Sequence, residues 1–415
     1  MTAASTSTAA AEPRAQSPAA ARALILVLGA LTAVSPLATD MYVPGFPALG
    51  HALHAGTSAV QLTMTAFLAG LVVGQLVIGP ISDGIGRRRL LIGGVAGFAV
   101  LSVVSALAPS ITALTAARFL QGIAGSAGMV LARAVVTDRF HGHELPRYFA
   151  MLSQILGIAP IAAPVLGGLV LSVSTWRAIF VVLAAMGVLL LLGVLRAVPE
   201  SLPPERRQGG GIGSTFRAMG SLARFPAFMG YVLTLGFAAA ALFSYIAGSS
   251  FVFEDIHGVS ATGYSLIFAS NAVGMLIGGF CFSRLARRVR LNTLLTAGVV
   301  VSLTGTLAQV VLRLLVGETL IGTWLTLFVA IGAIGLVFPA TMSIGQGLAR
   351  RAPGAASALL GGFQFLLGAL ASPLVGVFGT ASSLPMAVIM LVSMCCAALA
   401  LFVLARPGEG HGEPE

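Results

Sequence analysis

A chain of 415 residues with 57% hydrophobic and only 9% charged side chains, at a mean hydropathy of +0.99, has lipid rather than water as its main solvent; soluble domains carry about 25% charged residues. The formal charge of +10 excludes little by itself. A nucleic-acid binder gathers basic groups on a solvated face, whereas here the arginines punctuate the ends of apolar runs, as orientation in a bilayer requires. All 23 basic residues are Arg, and the three cysteines, Cys281, Cys395 and Cys396, lie inside apolar runs with neither disulfide nor metal-ligand spacing.

Residues 1–22, rich in Ala, Ser, Thr and Pro, read as a disordered cytoplasmic segment. Arg22 followed by an apolar run imitates a secretory signal, but the run of further spans makes it an uncleaved first helix. A helix needs about 20 apolar residues to cross the hydrocarbon core. On that measure spans fall at 23–43, 57–80, 90–108, 111–133, 148–171 and 177–196, then at 225–248, 261–283, 292–313, 319–342, 355–379 and 382–404. The polar stretch 197–224, with PESLPPERRQGGG, divides them six and six as a central cytoplasmic loop, and 405–415 forms a cytoplasmic tail. Placing both termini in the cytoplasm leaves only Arg177 and Arg313 outside, with Arg118 within a span. An internal echo supports the halves: GPISDGIGRRR (Gly79 to Arg89) follows the second span and GFCFSRLARR (Gly279 to Arg288) the eighth. The expected fold is an all-α membrane protein of twelve transmembrane helices in two pseudo-symmetric halves, 23–196 and 225–404, a pattern typical of transporters.

The first span carries one carboxylate, Asp40, in LATDMYVPGFPAL (Leu37 to Leu49). A charge at the membrane centre costs about 2.5–3.5 kcal/mol on insertion scales, so an Asp there reads as functional. The other reading puts Asp40 at the outer interface, where the following Tyr42–Gly45 turn lets it meet water. No span holds a histidine: His51, His54 and His257 fall outside and His141, His143 and His411 inside. If protons drive the protein, a carboxylate carries them, and Asp40 is the one Asp or Glu assigned to a span.

Arg118 in the fourth span is a permanent cation and cannot shuttle a proton. At about 1.5 Å per residue it lies at a depth close to that of Asp40. It is expected either to hold a network that senses the charge of Asp40 or to serve a structural ion pair or carbonyl contact. Gln121, one turn on, shares its face. In the fifth span Gly157, Pro160, Pro164, Gly167 and Gly168 crowd together, as generic small-residue packing or as a bent helix that seals against proton leak. Candidates to line a cavity are Tyr42, Gln75, Gln121, Gln154, Tyr231, Tyr245, Asn271, Gln309 and Gln364, each equally a helix–helix hydrogen bonder. Phe237, Phe243, Phe251, Phe253 and Phe268 offer a wall for amphiphilic compounds or for lipid. HGHE (His141 to Glu144) has no second ligand pair and reads as a solvated loop, not a metal site.

Several stretches resemble the major facilitator superfamily, in particular its twelve-span drug:proton antiporters and their Bcr/CflA branch. TDMYVPGFPAL is similar to that branch's first-helix signature. GPISDGIGRRR resembles the superfamily loop motif, with Gly84 where Arg is usual. RFLQGIAGSAG (Arg118 to Gly128) resembles the fourth-helix motif, APVLGG (Ala163 to Gly168) the antiporter motif with Ala163 in place of Gly, and TWRAIF (Thr175 to Phe180) the opening of helix six. The resemblance implies a cytoplasmic gate at Asp83, Gly86, Arg87 and Arg88, with Asp83 meeting the start of helix eleven when the inner face is closed. It implies proton-coupled export of small drugs, of chloramphenicol or bicyclomycin type, by a monomer in the bacterial inner membrane, with no cofactor beyond the proton gradient and no nucleic-acid partner. A proton-coupled importer of the same fold, and a non-transporting membrane sensor, stay open. No HExxH pair and no GxxxxGK[ST] stretch is present.

Overall fold

The computed structural model describes residues 18–140, 144–207, 212–349, 353–379 and 381–410. The expectations for residues 1–17, His141, His143 and His411 concern residues outside these. Twelve helices are long and apolar enough to cross a membrane: α1 (Arg22–Ala52), α2 (Thr57–Ile85), α3 (Arg87–Ala106), α4 (Ile111–Arg139), α5 (Gln154–Val173), α6 (Trp176–Ala197), α7 (Pro226–Ile256), α8 (Ala261–Leu285), α9 (Leu291–Leu315), α10 (Leu320–Leu348), α11 (Gly354–Val377) and α12 (Leu384–Ala405). There is no strand among the described residues. Outward-facing Val100, Leu189, Leu266 and Leu370 belong to an apolar surface suited to lipid.

Helix ends follow the punctuation of the sequence. Ser110 and Ser260 cap α4 and α8 by accepting from the amides of Ala113 and Gly263. Gly86 separates α2 from α3 at φ +102°. Glycine is required by that φ, which strains any side chain whatever the space around it.

Several boundaries differ from the sequence reading: α2, α4 and α10 run on to Ile85, Arg139 and Leu348, and three further differences alter what the spans contain. Helix begins at Pro18, inside the segment expected to be disordered. The first span does not end at 43: the helix breaks after Asp40, passes a 3-10 turn (Val43–Gly45) and resumes over Phe46–Ala52. Pro44 and Pro47 lack the amide hydrogens that a continuous helix would use at those positions, so the chain kinks without leaving the bundle. Tyr42, Phe46 and Leu49 are accordingly buried. α7 likewise runs on through a π-helical turn (Phe251–Ile256), which brings Glu254 and Asp255 into the span. Asp40 is therefore not the one acid within the spans, as the sequence suggested. The central connection also contains a helix, Ile212–Ala223, whose Met219 and Leu222 pack with Leu359 and Leu360 of α11.

The duplication is visible in how helices approach. In the first half a Cβ on Gly70 of α2 would strike the Phe119 carbonyl, and one on Gly122 of α4 the Phe67 carbonyl. In the second half Gly278 of α8 meets the Gly332 carbonyl and Gly335 of α10 the Met275 carbonyl. In each pair, each glycine lies on the carbonyl three residues before its partner glycine, so the same close crossing is built twice.

The halves meet along two seams, α2 with α11 and α5 with α8. At the arginine-poor ends, Gln61 reaches Gly376 and Gly168 touches Ser265; deeper in the bundle, Gln75 approaches Gly361 and Gly157 meets Leu276. That end is closed.

A tie at the same end joins three helices. Glu318 accepts from Arg313 Nε at 2.7 Å and from the Ser383 amide and hydroxyl at 2.8 Å each. Burial opposes its charge, but the bonds from Ser383 and the Arg313 guanidinium outweigh it and hold the carboxyl below its usual value. A depressed carboxyl contributes stability above the unfolded value of about 4.3 and loses it as pH falls through the folded one. Glu318→Gln is expected to lower unfolding stability at neutral pH by about 1 kcal/mol, because partial exposure screens the pair. The deficit should shrink on acidification below about pH 4, as read by chemical unfolding in micelles.

Candidate functional site

The break in α1 places two charged side chains in different surroundings. Arg118 is fully buried in the first half. Its guanidinium lies 4.2 Å from the Phe67 ring centroid, 4.5 Å from that of Tyr42 and 5.6 Å from that of Phe180. One terminal nitrogen donates to Gln121 Oε1 at 2.6 Å and the other to the Ala38 carbonyl at 2.9 Å. Gln121 passes the network on to Ser102 at 2.7 Å. Thr63 gives its proton to the Val60 carbonyl, so Tyr42 donates to Thr63 Oγ1 across 3.0 Å. The cation thus sits at the carbonyl end of the first segment of α1, where a helix carries partial negative charge.

Asp40 forms no ion pair with Arg118. Of the arrangements the sequence left open, the geometry has the carbonyl contact. Asp40 is only 4% exposed, so it does not point into water beyond the bundle. The 3-10 turn that follows it (Val43–Gly45) packs against α7 and α8 of the other half, which carry Tyr245 and Tyr264. Asn271 Nδ2 donates to the Tyr245 hydroxyl at 3.0 Å, and Ser249 and Tyr264 share a hydrogen bond of 2.8 Å. Phe268 stacks on Tyr245 with centroids 5.3 Å apart and meets Tyr264 edge-on at 6.0 Å. Phe46 contacts Phe251 across the halves at 6.1 Å. The break of α1 therefore packs against helices that carry a ring-lined polar network of the other half, and among the described residues Asp40 has no cation within ion-pair distance.

The antiporter stretch lies beside this site. On α5, a Cβ at Gly167 would collide with the Met41 carbonyl, next to Asp40, and one at Gly168 with Ser265 of α8. Gly157 lies 3.5 Å from Leu276 on the same measure, while Pro160 and Pro164 stand inside the helix. Small residues let α5 fit between the kink of α1 and α8.

Other expected residues separate. Tyr231 donates to Asn292 Oδ1 at 2.7 Å and joins α7 to α9. Gln75 contacts the Met129 sulfur at 3.4 Å. Gln309 is buried with both amide atoms lacking a partner among the described residues. Gln364 is half-buried on α11, on the face carrying Gly361 and Gly368, and exposed Gln154 lies one turn from Gly157 on the α8-facing side of α5. A cavity of about 490 Å³ opens at the far end of α8 and is lined by Phe280, Ser283, Arg284, Arg287 and Arg288, away from Asp40.

At the loop between α2 and α3, Asp83 pairs with Arg87 at 2.6 Å, and Arg87 also reaches Asp138 of α4 at 3.2 Å and the Ser82 hydroxyl. Arg88 donates to the carbonyls of Val198 and Leu195 at 2.8 and 3.0 Å, while Glu200 accepts from the amides of Arg87 and Arg88. Among the described residues Asp83 makes no bond to α11, and residues 350–352 before that helix lie outside them.

Sequence reasoning did not single out Tyr264, Ser249, Ser102 or Gln61. All are buried polar groups inside spans, a signal that could have raised them, but each bonds a residue of another helix, and for Gln61 that partner lies in the other half.

The Major Facilitator Superfamily profile matches residues 28–373. The chain is 40% identical over 393 residues to the "Uncharacterized MFS-type transporter YdgK" of Bacillus subtilis, covering 94% of this chain and 97% of that one. It is 29% identical over 386 residues to the "Bicyclomycin resistance protein homolog" of Haemophilus influenzae, covering 92% and 95%. Among solved structures, the bacterial homolog of the human lysosomal transporter Spinster, inward-facing and unoccupied, superposes with a TM-score of 0.73 over 97% of this chain and all of that one, at 16% identity, which speaks for the fold alone. The relatives agree with the motif resemblance to the drug:proton antiporters, and transport rather than enzymatic chemistry is what they share. With twelve membrane helices in two halves, a site at their junction and a profile match across most of its length, the chain belongs to the Major Facilitator Superfamily.

Proposed function

We propose that the protein exports small amphiphilic compounds in exchange for inward-moving protons, as a monomer in the bacterial cell membrane with both termini cytoplasmic. No cofactor is needed beyond the proton gradient. The arginine-rich helix ends then face the cytoplasm, following the positive-inside rule. The name of the Haemophilus relative supports a bicyclomycin-like drug as cargo.

One observation carries the coupling: Asp40 is buried beside the closed external seam, and among the described residues it has no cation within ion-pair distance. Burying an unpaired charge is costly, so closing the seam is easier when the carboxyl is neutral. The stroke that closes the outside therefore takes a proton inward. A substrate entering from the cytoplasm and binding by the Tyr245–Asn271 network favours the ionised carboxyl and the opposite stroke. Each ligand shifts the two-state equilibrium only through its differential affinity for the states.

Expression in an efflux-deficient host tests the reading. Accumulation of bicyclomycin- or chloramphenicol-type drugs should fall several-fold and recover when an uncoupler collapses the gradient. Unchanged accumulation across a broad panel, with proton-driven uptake of a metabolite instead, would sink export in favour of import.

A further inference from the structure

Gln61 on α2 is fully buried and has no role in the proton site, yet it makes the most direct polar link between the halves. Its Nε2 donates to the Ala247 carbonyl of α7 at 3.0 Å, and its Oε1 accepts from the Gly376 amide of α11 at 2.8 Å. One side chain of the first half thus binds backbone groups on two helices of the second. Both amide functions are used, one as donor and one as acceptor, so no other residue type of that length satisfies both partners.

Gly376 is shaped to the contact. A Cβ there would lie 2.6 Å from Gln61 Oε1 and 2.7 Å from the Ser58 Cα. The α5–α8 seam at the same end has no such bond and closes through Gly168 against Ser265. Because the partners belong to opposite halves, rocking of the halves must break both hydrogen bonds whenever this end opens.

We propose that Gln61 is the clasp of the external gate, which holds the carrier outward-closed by reading the backbone of α7 and α11 and is released once per cycle. The inference rests on two-half alternating access and on the external placement of this end, not on which compound or ion is carried. Being backbone-directed, the clasp does not depend on pH.

The test uses two cysteine reporters in a background where Cys281, Cys395 and Cys396 are replaced by Ala. Ser250→Cys, fully buried one turn beyond Ala247, reports the gated end. Gln154→Cys, exposed on the α8-facing side of α5, reports the opposite end. Labelling of purified carrier with a polar maleimide is compared between Gln61, Gln61→Leu and Gly376→Ala. The last keeps the glutamine but displaces its amide, so it carries the test even if Gln61→Leu does not fold. Losing two buried hydrogen bonds should raise labelling at position 250 by about fivefold or more and lower it at 154. General loosening would raise both. Labelling at 250 that matches the parent, or that rises at both positions, overturns the clasp, and neither outcome bears on drug export, which the accumulation assay reads separately.

Discussion

Asp40→Asn is expected to abolish proton release on substrate addition while leaving the carrier folded and able to bind. The asparagine has the volume of the aspartate and retains hydrogen-bonding capacity, but it carries no charge at any pH. The closed seam in which residue 40 is 4% exposed should therefore form at least as readily as in the parent. What is lost is the alternation. If substrate favours ionised Asp40, linkage makes substrate affinity in the parent weaken as pH falls, by at most about tenfold per pH unit for one coupled proton. In Asp40→Asn the affinity should be flat with pH, and drug accumulation in cells should match the empty host. Binding calorimetry in buffers of differing ionisation enthalpy reads both the affinity and the protons released. Equal release from parent and variant would remove Asp40 as carrier. Attention would then pass to Glu254 in the last turn of α7, whose Oε1 is buried without a partner among the described residues.

The span count and the six-plus-six division were legible because hydrophobic length is a local property, readable without partners. That Arg118 is buried was legible for the same reason, whereas for Asp40 the sequence left open a place in water at the outer interface. Their partners were not legible. The guanidinium chose the Ala38 carbonyl, a backbone group that an inventory of side chains cannot offer, and that carbonyl lies at a helix end only because the chain kinks after Asp40. The kink itself was half legible: Pro44 and Pro47 signalled an interruption, and the sequence reading took it for the end of the span. Packing of Phe46 and Leu49 into the bundle, a tertiary effect, carries the chain on to Ala52. The same holds at α7, where a π-helical turn keeps Glu254 and Asp255 in line with the span.

Tyr264 and Gln61 show the other limit. In sequence, a tyrosine or a glutamine in an apolar run is equally an interhelical bond or a cavity wall. Tyr231 and Tyr245 were alike on that footing, yet one joins α7 to α9 and the other joins α7 to Asn271 of α8. Rotation about the helix axis separates the two roles, and it is fixed by packing between segments more than two hundred residues apart along the chain, such as Gln61 and Gly376.

Arg118→Ala should be the most destabilising single change in the first half, and its cost should not depend on Asp40. The substitution strands the Ala38 carbonyl and Gln121 Oε1 in a closed, aromatic-lined space, at about 1–3 kcal/mol for each unsatisfied acceptor. It also removes a desolvated cation from between the Tyr42 and Phe67 rings, worth roughly 2 kcal/mol. A loss of about 4 kcal/mol or more follows, read as unfolding in mixed micelles. Arg118→Lys keeps the charge but has no planar fork to span both acceptors, so it should recover part of the loss. The decisive comparison is the double-mutant cycle with Asp40→Asn. Were the two residues an ion pair, removing the arginine would leave a buried carboxylate uncompensated, and neutralising it would restore several kcal/mol. The geometry instead gives Arg118 a carbonyl and leaves Asp40 out of any ion pair with it, so the two losses should add to within about 0.5 kcal/mol. A coupling energy well above 1 kcal/mol would return Arg118 to the proton site as a charge sensor; additivity keeps it as the fastener that shapes the end of the first helix segment, on which the position of Asp40 depends.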